Sequence, residues 1–366
     1  MSELQKQVQG LADELVDSGA ERGIQVAVYR DGQQVVDVVA GVADPETGRP
    51  VTPDTPFYNF SIGKGATATV AHVLAERGLF EYGTPVAELW PEFGAHGKGG
   101  VTVAHVLSHT AGVPGVPLDT TPEDICTWDT MVHALENAEL WWEPGTKVGY
   151  HAYTFGFLVG EIVRRVTGKP ISQVLLEEVS GPLGIGDELY FGMPADQHHR
   201  LARLEDAPMD PSAFMDMPAD LPMFKAGPMT LMPTAELGSR TDYLLSDIPA
   251  GGKTSARAIA RMYAALLGEV DGVRLISESR LREATSVVSS GMDEVFGMPT
   301  AWGLGFAIGR PDGMPGAGQG VFGVGGAGGS AAYADTATGV TVAITKNRLT
   351  HDFDVVKAVG DLVAAH

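Results

Sequence analysis

The sequence predicts an α+β chain: a single antiparallel sheet built from both chain termini, flanked by helices, with a large and mainly helical insertion between its two halves. Two observations predict it. Strand patterns occur near the ends, as IQVAVYR (24–30) and QQVVDVVAG (33–41), then WGLGFAIG (302–309), AAYADT (331–336) and VTVAITKN (340–347). Between them, from about 100 to 285, helical spacing of apolar residues dominates. Runs of strands separated by runs of helices belong to sheets with helices segregated beside them. The expected organisation is one domain over 1–366, with a sheet subdomain at about 1–60 and 290–366 and a helical subdomain at about 61–289.

In order, MSELQKQVQGLADELVDSGA reads as an amphipathic helix; it lacks a basic stretch followed by an apolar one, so it is not expected to be a secretory leader. Asp31-Gly32 joins the first two strands as a tight hairpin turn. From Gly63 to Gly78 the residues Ala66, Val70, Val73 and Leu74 mark a helix that starts beside Ser61 and Lys64. VTVAHVLSHT (101–110), TFGFLVGEIVRRVTG ending at Gly168 and SARAIARMYAALLG ending at Gly268 read as further helices. Residues 193–250, rich in Met, Pro and Asp without periodicity, are expected to cover a site. Three late strands interrupted by a Gly-rich stretch at 316–329, and a last helix over about 352–364, complete the chain.

Composition narrows the function. With 44% hydrophobic and 19% charged residues over 366 positions, the chain can bury a large core and is not a disordered one. A formal charge of −21 repels phosphate backbones, which excludes nucleic acid as an expected partner. No run approaches 18 apolar residues, so no membrane span is expected. The single cysteine, Cys126, permits neither an intrachain disulfide nor a cysteine metal site. A cytoplasmic enzyme acting on small molecules, without cofactor or metal, is the resulting expectation.

The chemistry starts at Ser61-Ile-Gly-Lys64. A spacing of three on a helix places both side chains on one face, about 5–6 Å apart at Cβ. A serine hydroxyl needs a base, and a lysine serves if burial strips its proton. The helix start adds a Ser61 N–H for a developing oxyanion. Ser61 is the only serine in the chain with a lysine three residues on. Alone the motif is weak, since any helix start can carry it. Glu143-Pro-Gly-Thr146 then leads to Tyr150, on a loop before an apolar helix, and Phe322-Gly-Val-Gly-Gly-Ala-Gly-Gly-Ser330 follows near the end.

SxxK at a helix start, LSHTAG at 107–112, PGxxxxY before a helix and a Gly-rich late strand, in this order over about 20–365, resemble the class C β-lactamases, family VIII carboxylesterases and related SxxK acyltransferases of the penicillin-binding-protein type. The resemblance implies the α/β sandwich of the β-lactamase/transpeptidase type. It implies Ser61 as acylated nucleophile and Lys64 with Tyr150 as its acid/base pair, the phenol brought toward neutrality by the neighbouring ammonium. It also implies Gly326 as the close-approach position and the Ala327 N–H as second oxyanion donor.

Two departures bear on substrate. Val324 stands where relatives carry a Lys or His that holds a carboxylate, and Tyr150-His151-Ala152 lacks the terminal Asn of Y-x-N. His151 reads first as a solvent-facing loop histidine and second as a polar contact in place of that Asn. The expected activity is hydrolysis of small-molecule esters through acyl-Ser61; the alternative is acyl transfer from an ester or amide to an amine or alcohol. β-Lactamase, D-peptidase and ligand-binding pseudoenzyme readings rank lower. Trp141, Trp142, Met215, Met217, Met223, Met229 and Met232 are candidates for an apolar site or for plain core. His109 reads as a core or turn histidine, since no GxSxG elbow exists for a Ser-His-Asp triad. His198-His199 lacks partners at metal spacing, and GGKTS (251–255) reads as a turn and N-cap, not a phosphate loop.

Overall fold

The computed structural model describes residues 2–208, 218, 220–313, 316, 318 and 320–366. Nine strands form its main sheet: β1 (Gly23–Arg30), β2 (Gln33–Asp44), β3 (Arg49–Pro50), β4 (Ser289–Met292), β5 (Pro299–Trp302), β6 (Ala307–Ile308), β7 (Val321–Gly326), β8 (Ser330–Asp335) and β9 (Val340–Lys346). Their order across the sheet is β3-β2-β1-β9-β8-β7-β6-β5-β4, and every pairing is antiparallel. The seam between the two chain ends is β1 against β9, in register from Ile24 opposite Lys346 to Arg30 opposite Val340.

Helices cover both faces. On one side α1 (Glu3–Asp17) and the last helix pack Leu4, Val8, Val356 and Val359 onto Ile24, Val26 and Val28. On the other, Ala27 and Tyr29 of the same strand join a core that holds the Gly63–Glu76 and Ala256–Leu267 helices. β1 is thus buried on both faces, which is why IQVAVYR reads as an almost continuous apolar run. Its one polar residue inside, Gln25, is fully used: its amide donates to Thr52 O and Thr55 O, and its oxygen accepts from Ala256 N and Thr345 Oγ1.

We label the remaining long helices α2 (Gly63–Glu76), α3 (Thr154–Thr167), α4 (Ala256–Leu267) and α5 (Asp354–Ala364). α3 ends on Gly168 at φ +71°, the left-handed stop expected there. GGKTS supplies a short strand, Lys253–Thr254, and then the N-cap Ser255, whose Oγ accepts from Ala258 N. Three expected elements differ. VTVAHVLSHT is helical only over Val103–Leu107, because His109 turns the chain at φ +59°. WGLGFAIG is broken at Gly303–Phe306 into the ends of β5 and β6. The edge hairpin strand Ser289–Met292 was not expected; its serines and glycine carry no apolar alternation.

Candidate active site

The turn carrying Ser61 is fixed from both sides. Phe57–Tyr58 pairs with Lys253–Thr254, and buried Asn59 donates its amide to Phe57 O and Thr254 O, at 3.0 and 3.1 Å. Phe60 then adopts φ +46°, a left-handed conformation that costs a bulky residue roughly 1–2 kcal/mol. This kink starts one turn of 3₁₀ helix, Phe60–Ile62, which delivers Ser61 to the mouth of α2. Gly63 follows because a Cβ there would lie 2.2 Å from Gly251 C: the start of α2 and the 250–252 segment touch backbone to backbone.

That contact explains Lys64. Its side chain is 1% exposed, and its Nζ lies 3.1 Å from Ser61 Oγ and 3.0 Å from Ala250 O. Burial, uncompensated by a carboxylate, lowers its pKa to about 7. Lys253 is lowered equally, to about 7, by the same cause. Lys253, however, donates to the carbonyls of Phe191 and Tyr243, away from any nucleophile. Geometry, and not acidity, distinguishes the two lysines.

Tyr150 faces this pair. Lys64 Nζ sits over its ring, 4.9 Å from the centroid, and Trp302 stacks against it at 5.6 Å and 23°. Burial pushes the phenol up, with Asp293 acting in the same direction and the Ser61 hydroxyl opposing. The expectation of a phenol lowered by Lys64 is therefore corrected: an amine near pH 7 carries too little charge, over the ring face, to offset desolvation. The main chain on either side of Tyr150 is clamped by His109. His109 Nδ1 accepts the N–H of His151 at 3.0 Å, and Gly149 N donates to His109 O at 3.0 Å. His109 is buried in a turn as expected, but it is also nearer the chemistry than expected, its ring 4.9 Å from that of Tyr150.

His151 overturns both of its readings. It is 0% exposed, its Nε2 accepts from Val113 N at 3.2 Å and its Nδ1 donates to Gly149 O at 2.7 Å. Both nitrogens are spent on backbone, the ring is held neutral with a pKa lowered to about 4 by burial, and it does not reach the cavity. Odd and even residues of an irregular loop have no fixed facing, so sequence spacing had no means of showing this.

Ser61, Lys64, Tyr150, Ala152, Val324, Gly326 and Ala327 all line one cavity of about 1070 Å³. Gly326 permits it: a Cβ there would stand 2.3 Å from Asn59 O, so β7 runs hard against the Ser61 turn. The N–H groups of Ser61 and Ala327 make no hydrogen bond among the described residues. Met223, Met229 and Met232 line the cavity; Trp142 is buried behind His151, and Trp141 is 42% exposed outside it. Met215 and Met217 lie outside the described residues. The 193–250 segment contributes Asp206, Ala207 and residues 226–229 and 231–234 to the wall.

The cavity's charges are unbalanced. Arg310 is committed to Asp312, at 2.7 Å, and to Asp361, at 3.2 Å. Besides Lys64, the remaining basic group among the described lining residues is the exposed His351, against the carboxyls of Asp206, Asp293 and Asp352. Among the described residues no group of three or more His, Cys, Asp or Glu is placed to hold a metal ion. No helix there is long and apolar enough to cross a membrane. Two residues that shape the site were not expected: Phe60, whose φ leaves no trace in sequence, and Asp293, distant in the chain.

A fold with the sheet assembled from both termini and a Ser-Lys-Tyr cluster at the mouth of α2 defines a class, and the family comparison agrees: the Beta-lactamase family model matches residues 8–365, and the chain belongs to that family. Among relatives, the Esterase/beta-lactamase LipL of Mycobacterium tuberculosis is 38% identical over 347 residues, covering 89% of this chain and 77% of LipL. The crystal structure of a family VIII carboxylesterase superposes with a TM-score of 0.89 at 32% identity, covering 100% of this chain and 98% of that one. EstA from Arthrobacter nitroguajacolicus Rue61a gives 0.87 at 26% identity, over 100% and 98%.

Proposed function

We propose that the chain is a serine carboxylesterase that hydrolyses small neutral esters through an acyl-Ser61 intermediate. The observation that carries this reading is Lys64 Nζ at 3.1 Å from Ser61 Oγ, buried without a counter-ion on the wall of an open cavity. Support comes also from the relatives, several of which are esterases by name.

In the first half-reaction the Lys64 amine takes the Ser61 proton as Oγ bonds to the ester carbonyl carbon. The oxyanion is received by the N–H groups of Ser61 and Ala327. As the C–O bond to the alcohol breaks, Tyr150 donates its phenolic proton to the leaving oxygen and regains one from Lys64. A phenol pushed up by burial suits this relay, since it stays protonated until the alkoxide forms. Water then repeats the sequence in reverse, releasing the acid and free Ser61.

The shortage of free cations argues against substrates bearing a carboxylate, β-lactams included, as does Val324 where a cationic residue would hold one. A second reading is acyl transfer to an amine or alcohol. The cavity, at about 1070 Å³, is at the upper end of what a single drug-sized ligand fills, and so leaves room for an acceptor beside a small acyl group. Product analysis separates the two: with a short-chain ester and a candidate amine, hydrolysis yields the free acid at a rate independent of amine, and transfer yields amide in proportion to it. Ser61→Ala should abolish either product.

A further inference from the structure

We infer that Asp293 is a positioning residue for this reaction: its carboxylate latches the β4–β5 hairpin onto the main chain of Tyr150 and holds the phenol at Ser61 and Lys64. The inference rests on the esterase reading above and adds to it a residue outside the Ser-Lys-Tyr cluster.

Asp293 begins the loop between β4 and β5 and is 4% exposed. Its Oδ1 accepts the N–H groups of Val295 and Phe296, both at 2.9 Å. Its own N–H donates to Met298 O and its carbonyl accepts from Gly297 N, each at 2.8 Å. These bonds close the loop by themselves. Its Oδ2 nevertheless reaches across to the backbone N–H of Tyr150, at 2.8 Å, and Glu294 N beside it donates to Val148 O at 2.9 Å. A buried carboxylate without a cation is costly, and a hairpin loop does not need one. Lys147, the nearby base, is paired with exposed Glu294 at 3.3 Å.

The latch carries side chains with it. Phe296 at the loop tip lies 5.8 Å from the Tyr150 ring, and Trp302 of β5 stacks on it. The charged and titratable groups around the phenol are Lys64 from α2, Asp293 from the hairpin, and His109 from its turn, which burial keeps neutral. Burial is the main reason that the phenol keeps its proton, and the negative charge of Asp293 adds to it in the same direction, while the latch fixes where Tyr150 sits.

Asp293→Asn tests this. In the orientation that keeps both loop bonds, the amide oxygen replaces Oδ1 and the NH₂ meets the Tyr150 N–H donor to donor. The expected result is a kcat lowered by about 10- to 100-fold with KM little changed. The loss should also be larger for alkyl esters than for activated phenyl esters, because a displaced phenol fails first as proton donor to the leaving oxygen. A purely structural role would lower Tm without changing that leaving-group sensitivity. Phe296→Ala serves as the contrast, raising KM and leaving the leaving-group sensitivity in place. On the wild type, whatever the variant's folding, the Tyr150 amide should exchange slowly and its proton shift should follow a carboxyl titration. Acylation of wild-type Ser61 together with an unchanged kcat and leaving-group sensitivity in Asp293→Asn, or a fast-exchanging Tyr150 amide, overturns the inference while the esterase reading stands. Absence of any acyl adduct in the wild type overturns both.

Discussion

Lys64 holds its amine between Ser61 Oγ and Ala250 O, over the face of the Tyr150 ring, and no carboxylate pairs with it among the described residues. In the proposed reaction the neutral amine is the form that accepts the Ser61 proton. Because burial lowers its pKa to about 7, kcat/KM should rise as pH increases through about 7 and fall below it, measured with a neutral ester whose own charge does not titrate. Lys64→Arg places a permanent cation at the same point, and kcat should drop by about 10³-fold or more. Tyr150→Phe removes the relay proton but not the base, so acylation by an activated phenyl ester should survive better than acylation by an alkyl ester. That difference in leaving-group sensitivity is measured with the two ester types side by side.

At the scale of elements, α2 meets α4 through the side chain of Tyr263. A Cβ on Gly65 would stand 2.3 Å from Tyr263 Oη, a buried hydroxyl without a hydrogen-bond partner among the described residues. Gly65→Ala should cost about 1–3 kcal/mol by overpacking. Tyr263→Phe alone should be neutral or stabilising, since it removes an unsatisfied polar group, and should partly rescue Gly65→Ala in a denaturation double-mutant cycle, the next contact lying at 3.1 Å. The same elements show what was legible beforehand. β1 announces itself as an almost continuous apolar run, β2 by its pairing across the Asp31-Gly32 turn, and α2, α3 and α4 by helical apolar spacing, with Gly stops at 78 and 168 for α2 and α3. That Ser61, Lys64 and Tyr150 belong to one cluster was legible because the proposed chemistry constrains residue type and order. The β4–β5 hairpin was not, since SSGM has no alternation and Asp293 acts through one long-range bond to Tyr150. His151 was misread for the related reason that facing in a loop is set by tertiary partners, here Val113 and Gly149.

Over the whole molecule, the charge of −21 and the scarcity of free cations in the cavity act together. A field of one sign repels like-charged substrates before they arrive, and salt screens it over a Debye length of about 10 Å at 0.1 M. Hydrolysis of an ester carrying a carboxylate should therefore quicken as ionic strength rises from about 0.01 to about 0.15 M, while its neutral isostere shows no such gain; the ratio of their kcat/KM values reads the effect. In the proposed reaction Ser61 carries the acyl group. Rapid-quench intact-mass analysis with an activated ester, followed by peptide mapping, tests that directly. The predicted result is a transient acyl mass on the wild type, located on Ser61 and missing from Ser61→Ala. Ester turnover without any adduct, or an adduct that persists in Ser61→Ala, would contradict it.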